Sequence, residues 1–132
     1  MTTSSSSPVM TLELLRRFSD AWTAGDVDTL MSFMTEDCVY SASVGAEPGT
    51  TYRGWDEVRR GFVAMLAYDS GRERHRGFAF IHGTVGVAEW SFSEAGPDGR
   101  ARLIRGCDIY EFADDKIRKK DAFRKVLDKE IT

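Results

Sequence analysis

Apolar residues recur at helical spacing through the first half of the chain and near alternate positions through the second. Leu14, Leu15, Phe18 and Trp22 form one stripe, and Ser7-Pro8 ahead of it has the form of an N-cap followed by proline at the first helical position. Ala24-Gly25-Asp26 breaks that helix. Asp26 is placed to cap a second, with Val27, Leu30, Met31 and Met34 on its stripe. Asp37-Cys38-Val39-Tyr40 then leaves the helix as a short strand, and residues 45–54, rich in Gly, Pro and Thr, read as a loop. A third helix follows from about Trp55, with Val58, Phe62, Met65 and Leu66 on one side. Strands are expected at residues 78–81, 86–93, 102–112 and 117–126, separated by His82-Gly83, Gly96-Pro97-Asp98-Gly99 and Asp114-Asp115. Helices followed by an antiparallel meander define an α+β domain. With no internal repeat or linker, residues 9–132 read as a single domain behind a disordered tail, residues 1–8.

The last hairpin carries the candidate chemistry. Asp114-Asp115 suits a two-residue turn. With those two at the tip, Ala113 lies opposite Lys116, Phe112 opposite Ile117, Tyr110 opposite Lys119 and Asp108 opposite Asp121. Like charges directly opposed destabilise a sheet, unless one of the two acids holds a proton. A single bulge would instead send the two acids to opposite faces. If Ala101 pairs with Glu94 in the preceding hairpin, one face carries Val87, Glu89, Ser91, Ile104, Gly106, Asp108, Tyr110, Lys119, Asp121 and Phe123. The other carries Trp90, Phe92, Leu103, Arg105, Cys107 and Ile109. Both faces are too apolar to be left in water. Three helices cover one, and the natural cover for the other is a second copy of the chain across a two-fold axis.

The remaining composition mostly excludes. The formal net charge is −3 over 132 residues, with no basic stripe interleaved with aromatics, so nucleic acid is not an expected partner. No run approaches a membrane span, and the start, MTTSSSSPV, lacks the basic and apolar regions of a secretory signal. Cys38 and Cys107 lack metal-ligand spacing and read as reduced, buried thiols of a cytoplasmic protein. No histidine–carboxylate spacing suggests a metal, and there is neither a nucleophile elbow nor a phosphate-binding glycine loop, so no cofactor is expected. His75 in GRERHRG and His82 before Gly83 read as solvated. Tyr40, Tyr52 and Tyr110 are candidate hydrogen-bond donors whose default role is packing. Trp22 and Trp55 lie on helical stripes as core or pocket wall. Glu89 is either a third acid in the pocket or the partner of Lys119.

AWTAGDVDTLMSFMTEDCVY, YRGWDEVRRGF and RGCDIYEFADDKIRKKDAF resemble the nuclear transport factor 2-like superfamily, and within it SnoaL-like proteins and relatives of ketosteroid isomerase. The resemblance runs from Leu12 to about Lys125. It implies a cystatin-like cone in which a curved antiparallel sheet wraps three N-terminal helices around a deep, mostly apolar pocket, and a homodimer through the outer sheet face. Of the ketosteroid isomerase machinery, the tyrosine donor falls at Phe18, the base at Ala42 and only the protonated aspartic acid has a match, at Asp108. The base of the polyketide cyclases of this fold falls at Asp121. Epoxide hydrolases of the fold use two acids with an arginine between them; Asp108 and Asp121 resemble that pair, but Arg105 and Arg118 have the opposite parity.

Two classes of function follow. One is a cofactor-free acid–base enzyme acting on a small hydrophobic carbonyl compound by isomerisation or aldol cyclisation. Asp121 would remove the α proton and a neutral Asp108 would donate to the enolate. Phe18, Trp22, Tyr40, Trp55, Glu89, Tyr110 and Phe123 would line its pocket. The other is a non-catalytic module for ligand binding or dimerisation. Epoxide hydrolysis stands as a second enzymatic alternative.

Overall fold

The computed structural model describes residues 8–45 and 49–125. Residues 1–7 of the expected tail, Ser7 among them, and Val126 at the expected end of the last strand lie outside the described residues. The first helix, α1 (Leu12–Ala24), is capped by Thr11, whose hydroxyl accepts from the Leu14 amide at 3.2 Å. The cap expected at Ser7-Pro8 is thus replaced by one four residues on. Gly25 ends α1 in the left-handed conformation (φ 69°) that glycine adopts without a Cβ penalty. Asp26 caps α2 (Val27–Ser32) as expected, accepting from the Thr29 amide at 3.1 Å.

Met34 does not continue α2. It is buried as the first residue of β1 (Met34–Ser41), where it pairs with Ile117. A buried methionine at that spacing fits a helix end and a strand start equally, so periodicity could not separate them. The segment read as a loop contains a three-residue edge strand, β2 (Thr51–Arg53), paired antiparallel with β1. Helix α3 (Trp55–Tyr68) buries Val58, Phe62 and Met65. The meander is β3 (Glu73–His82), β4 (Val85–Ala95), β5 (Ala101–Ala113) and β6 (Lys116–Lys125). Strand β3 begins five residues before the expected Phe78, so the charged run ERHRG forms its first half, exposed except at the half-buried Arg74.

The sheet order is β2-β1-β6-β5-β4-β3. The β1–β6 pair is parallel and every other pair is antiparallel, which corrects the expectation of a wholly antiparallel sheet. The sheet curls around the helices without closing, a mixed α+β cone. Its core is an aromatic cluster in which Phe62 meets Trp22 at 5.1 Å and Tyr40 at 4.9 Å between ring centres, both edge-on.

Two register details decide which side chains enter the cone. In the β5–β6 hairpin, Ala113–Lys116 and Phe112–Ile117 pair as expected, but Glu111 then pairs with Lys119, leaving Arg118 as an extra residue on β6. Beyond that bulge Asp108 lies opposite Ala122, and Asp121 opposite Ile109. In the β4–β5 hairpin Ala95 pairs with Ala101, one residue away from the expected Glu94 pairing. Trp90 and Phe92 therefore turn inward and are buried, while Glu89 turns outward.

Candidate functional site

Inward alternation on β5 places Gly106, Asp108, Tyr110 and Phe112 inside the cone, and the bulge places Lys120, Ala122 and Arg124 beside them on β6. Asp108 is 2% exposed. One of its carboxylate oxygens accepts from Lys120 Nζ at 3.1 Å and the other from the Tyr110 hydroxyl at 3.2 Å. Lys120 Nζ lies 4.4 Å from the centre of the Trp22 ring and 5.0 Å from that of Tyr40, so the ammonium is held by aromatic faces as well as by the acid. Burial pulls the pKa of Lys120 below its ordinary value, and the charge of Asp108 opposes that pull. Burial, reinforced by the Asp108 charge, pushes the Tyr40 and Tyr110 phenols well above theirs, so both are donors.

Phe18, Trp22, Arg74, Phe92, Asp108 and Lys120 line a cavity of about 20 Å³, room for one water. Trp22, Arg74 and Phe92 also line a wider cavity of about 250 Å³, where Leu66, Asp69 and Arg72 complete the wall. The wider cavity, the vestibule, shares the wall of Trp22, Arg74 and Phe92 with the inner one. Its floor is fixed by a charge network: Asp69 accepts two bonds from Arg124, at 2.9 and 2.7 Å, and one from Arg72 at 2.8 Å. Arg72 also donates to Glu94 at 2.9 Å. The Arg124 guanidinium lies 5.3 Å from the Trp90 ring centre and 5.7 Å from that of Phe92.

Of the residues expected in the pocket, Phe18, Trp22, Asp108 and Tyr110 meet at the inner cavity. Tyr40 is buried against Lys120, with Tyr52 stacked on it at 5.9 Å. The others do not join them. Asp121 is half-buried on the opposite sheet face, because the bulge at Arg118 reversed the parity of everything after it. Phe123 follows it out and is 50% exposed. Glu89 turns outward through the one-residue shift in the β4–β5 hairpin and pairs with Arg105 at 3.3 Å, not with Lys119. Trp55 opens α3 and is 38% exposed. The same shifts overturn the proposed dimer face in part: Trp90 and Phe92 are interior, while Leu103 and Ile109 are exposed. Arg105 and Arg118 point outward, away from Asp108 as expected, but Arg105 shares the outer face with Asp121, against the expected opposite parity.

Lys120, Arg74 and Arg124 were not anticipated. Lys120 stands in the run Arg118-Lys119-Lys120 and Arg74 in GRERHRG, where composition points to solvent. Only the register singles them out. His75 and His82 are exposed. Cys38 is a buried free thiol, pushed up to about 11 by burial; Cys107 is free and only half-buried. Among the described residues no group of three or more His, Cys, Asp or Glu is arranged to hold a metal ion, and no helix is long and apolar enough to cross a membrane.

The family model of the SnoaL-like domain matches residues 15–120. No curated protein matches the chain. Among solved structures, the chain is similar to a nuclear transport factor 2-like protein of Mesorhizobium loti, with 24% identity, a TM-score of 0.70 and coverage of 86% of this chain and 89% of that one. It is also similar to a cystatin-fold protein of Novosphingobium aromaticivorans, with 23% identity, a TM-score of 0.68 and coverage of 88% and 99%. A third is TerC, co-crystallised with polyporic acid, with 14% identity, a TM-score of 0.69 and coverage of 86% and 90%. The inward register of β5, the curled six-stranded sheet and the match over residues 15–120 agree: the chain belongs to the SnoaL-like domain family and has the nuclear transport factor 2-like fold.

Proposed function

We propose that the chain is a cofactor-free acid–base enzyme that moves a proton from the carbon α to the carbonyl of a small, partly apolar compound. The observation that carries this reading is Asp108: a carboxylate buried inside the cone, on a small cavity that shares a wall with a larger vestibule. With Asp121 on the other face, Asp108 takes the role of base. The α C–H bond breaks, its proton passes to the carboxylate, and the electron pair moves onto the carbonyl oxygen as an enolate. Lys120 and Tyr110, which donate to Asp108 and stand beside it, would be the donors to that oxygen as it gains charge. Return of the proton to another carbon gives isomerisation, and attack of the enolate on a second carbonyl gives ring closure. Epoxide hydrolysis loses its support, because the acid pair it needs is separated by the sheet.

The test is deuterium incorporation from D2O into an enolisable aryl ketone, followed by NMR. Asp108→Asn should lower the rate by roughly 10²–10⁴-fold. Asp121→Asn should leave it unchanged. Equal rates with and without the protein would remove the catalytic reading.

A second reading, a ligand-binding module without chemistry, is favoured by the full pairing of Asp108 and by the size of the inner cavity, about 20 Å³. Saturable ligand binding with no exchange would select it. The co-crystal of TerC with polyporic acid is a precedent for a ligand on this fold.

The outer face supports a homodimer: Phe80, Leu103, Ile109 and Phe123 are exposed there. Leu103→Asp with Ile109→Asp should convert a dimer to a monomer by light scattering, and a stable monomer of the unmodified chain would reject the assembly. Two free thiols suit a reducing compartment, here proposed as the cytoplasm.

A further inference from the structure

We infer that the ligand carries a carboxylate, and that Arg74 is the residue that reads it; this rests on the vestibule being a ligand site, not on the proton transfer. The interior holds four cations, Arg72, Arg74, Lys120 and Arg124, against three carboxylates, Asp69, Glu94 and Asp108. Three of the cations are matched: Lys120 to Asp108, Arg124 to Asp69, and Arg72 to Asp69 and Glu94. Outside the cone Arg76 is matched by Asp20 at 2.9 Å. Arg74 has no carboxylate within ion-pair distance among the described residues. Its bonds run to neutral oxygens of α1: the Ser19 carbonyl at 3.3 Å, the Ser19 hydroxyl at 2.9 Å and the Thr23 hydroxyl at 3.1 Å.

All three of those bonds use Nη1. Nη2 and Nε donate to no described group, yet no buried side-chain nitrogen among the described residues lacks a partner. These two nitrogens therefore keep solvent-accessible surface, and Arg74 lines the inner cavity, the vestibule and a third small cavity beside Leu15 and Arg76. The Nη2/Nε edge of a guanidinium is a fork that matches the two oxygens of a carboxylate, and a partly desolvated arginine gains most from such a pair. Nη1 is tied to α1, so the fork is held in place before the ligand arrives.

The size and lining of the vestibule narrow the class. About 250 Å³ walled by Trp22, Leu66 and Phe92 suits one aromatic ring with a short side chain. The ligand inferred is a monocyclic aryl or arylalkyl acid. With its carboxylate on Arg74, its reactive carbon lies toward Asp108, since both residues border the inner cavity.

Isothermal titration of the full chain with phenylacetate and with phenylacetamide tests this directly, because neither undergoes the proposed reaction measurably during a titration. Phenylacetate should bind saturably and roughly tenfold or more tighter than the amide, the yield of one charge-assisted pair. Arg74→Gln should abolish the preference. Arg74→Lys, which keeps the charge but not the fork, should retain part of it. Arg100→Gln, in the exposed β4–β5 turn, should change nothing. Equal affinity for acid and amide in the unmodified chain overturns the inference, as does a preference that survives Arg74→Gln or an absence of binding to both. Deuterium exchange into an uncharged aryl ketone with no preference for acids would sink the role of Arg74 and leave the catalytic reading standing. Acid binding without exchange into any ketone would do the reverse.

Discussion

Lys120→Met is expected to cost about 3–5 kcal/mol of folding stability, the penalty for stranding a buried charge. The side chains of Lys120 and Asp108 are 5% and 3% exposed, so water cannot replace the lost ammonium. The carboxylate would keep one described donor, the Tyr110 hydroxyl, which is neutral. Asp108→Leu should cost a similar amount by leaving Lys120 against Trp22 and Tyr40 with no counter-charge. The double variant Lys120→Met, Asp108→Leu should recover most of the loss, because two apolar groups of similar volume replace a pair that had to be desolvated. Urea unfolding of the four proteins supplies the cycle. A near-zero coupling energy would show that the pair is not formed in solution, and it would remove Lys120 from the enolate site as well. If the fold keeps this pair at a cost in stability that the apolar double variant does not incur, the pair is retained for something other than stability, which is the argument for chemistry at Asp108.

The fold was legible because its signals are redundant. Helix α1 has four periodic apolar residues and Gly25; α2 has Asp26; the last hairpin has Asp114, which takes positive φ at the tip as the turn requires. Losing one signal leaves the others. The site was not legible, because strand parity has no redundancy: one extra residue exchanges the faces. In β6 the polar pattern argued for the wrong choice. Ile117 and Phe123 share a parity, so an unbulged strand would bury both; the bulge at Arg118 buries Ile117 and Arg124 and exposes Phe123. Apolar residues on the outer face, Leu103 and Ile109 among them, removed the contrast that would have exposed the error. In the β4–β5 hairpin the Gly-Pro-Asp-Gly motif identified the turn but not its length, and the difference of one residue moved Trp90 and Phe92 from an expected interface to the cavity wall. Family resemblance located Asp108 correctly inside the cone, yet it gave no warning of Lys120 or Arg74, which lie in runs of charge.

Asp69→Ala is expected to be as damaging as the loss of Lys120, about 3–5 kcal/mol, and to act on the vestibule rather than the inner cavity. Asp69 follows the last residue of α3, and its two bonds from Arg124 tie the end of that helix to β6 across the mouth of the cone. The Arg124 side chain is 4% exposed and packed near Trp90 and Phe92, so removing its carboxylate leaves a guanidinium among aromatic rings with no described carboxylate partner. Arg72 would retain Glu94, which limits the damage on that side. Asp69→Asn should cost distinctly less than Asp69→Ala, because an amide oxygen still accepts one of the Arg124 bonds without balancing its charge. The functional consequence separates this network from the inner pair. Asp69→Ala widens the vestibule and adds an unmatched cation to it, so affinity for phenylacetate should hold or rise while stability falls. Lys120→Met, by contrast, lowers stability and proton transfer together. Thermal melts alongside titration of each variant distinguish the two patterns. A stable Asp69→Ala protein would mean that Arg124 finds another acceptor, and the tie between α3 and β6 would then not be what sets the width of the vestibule.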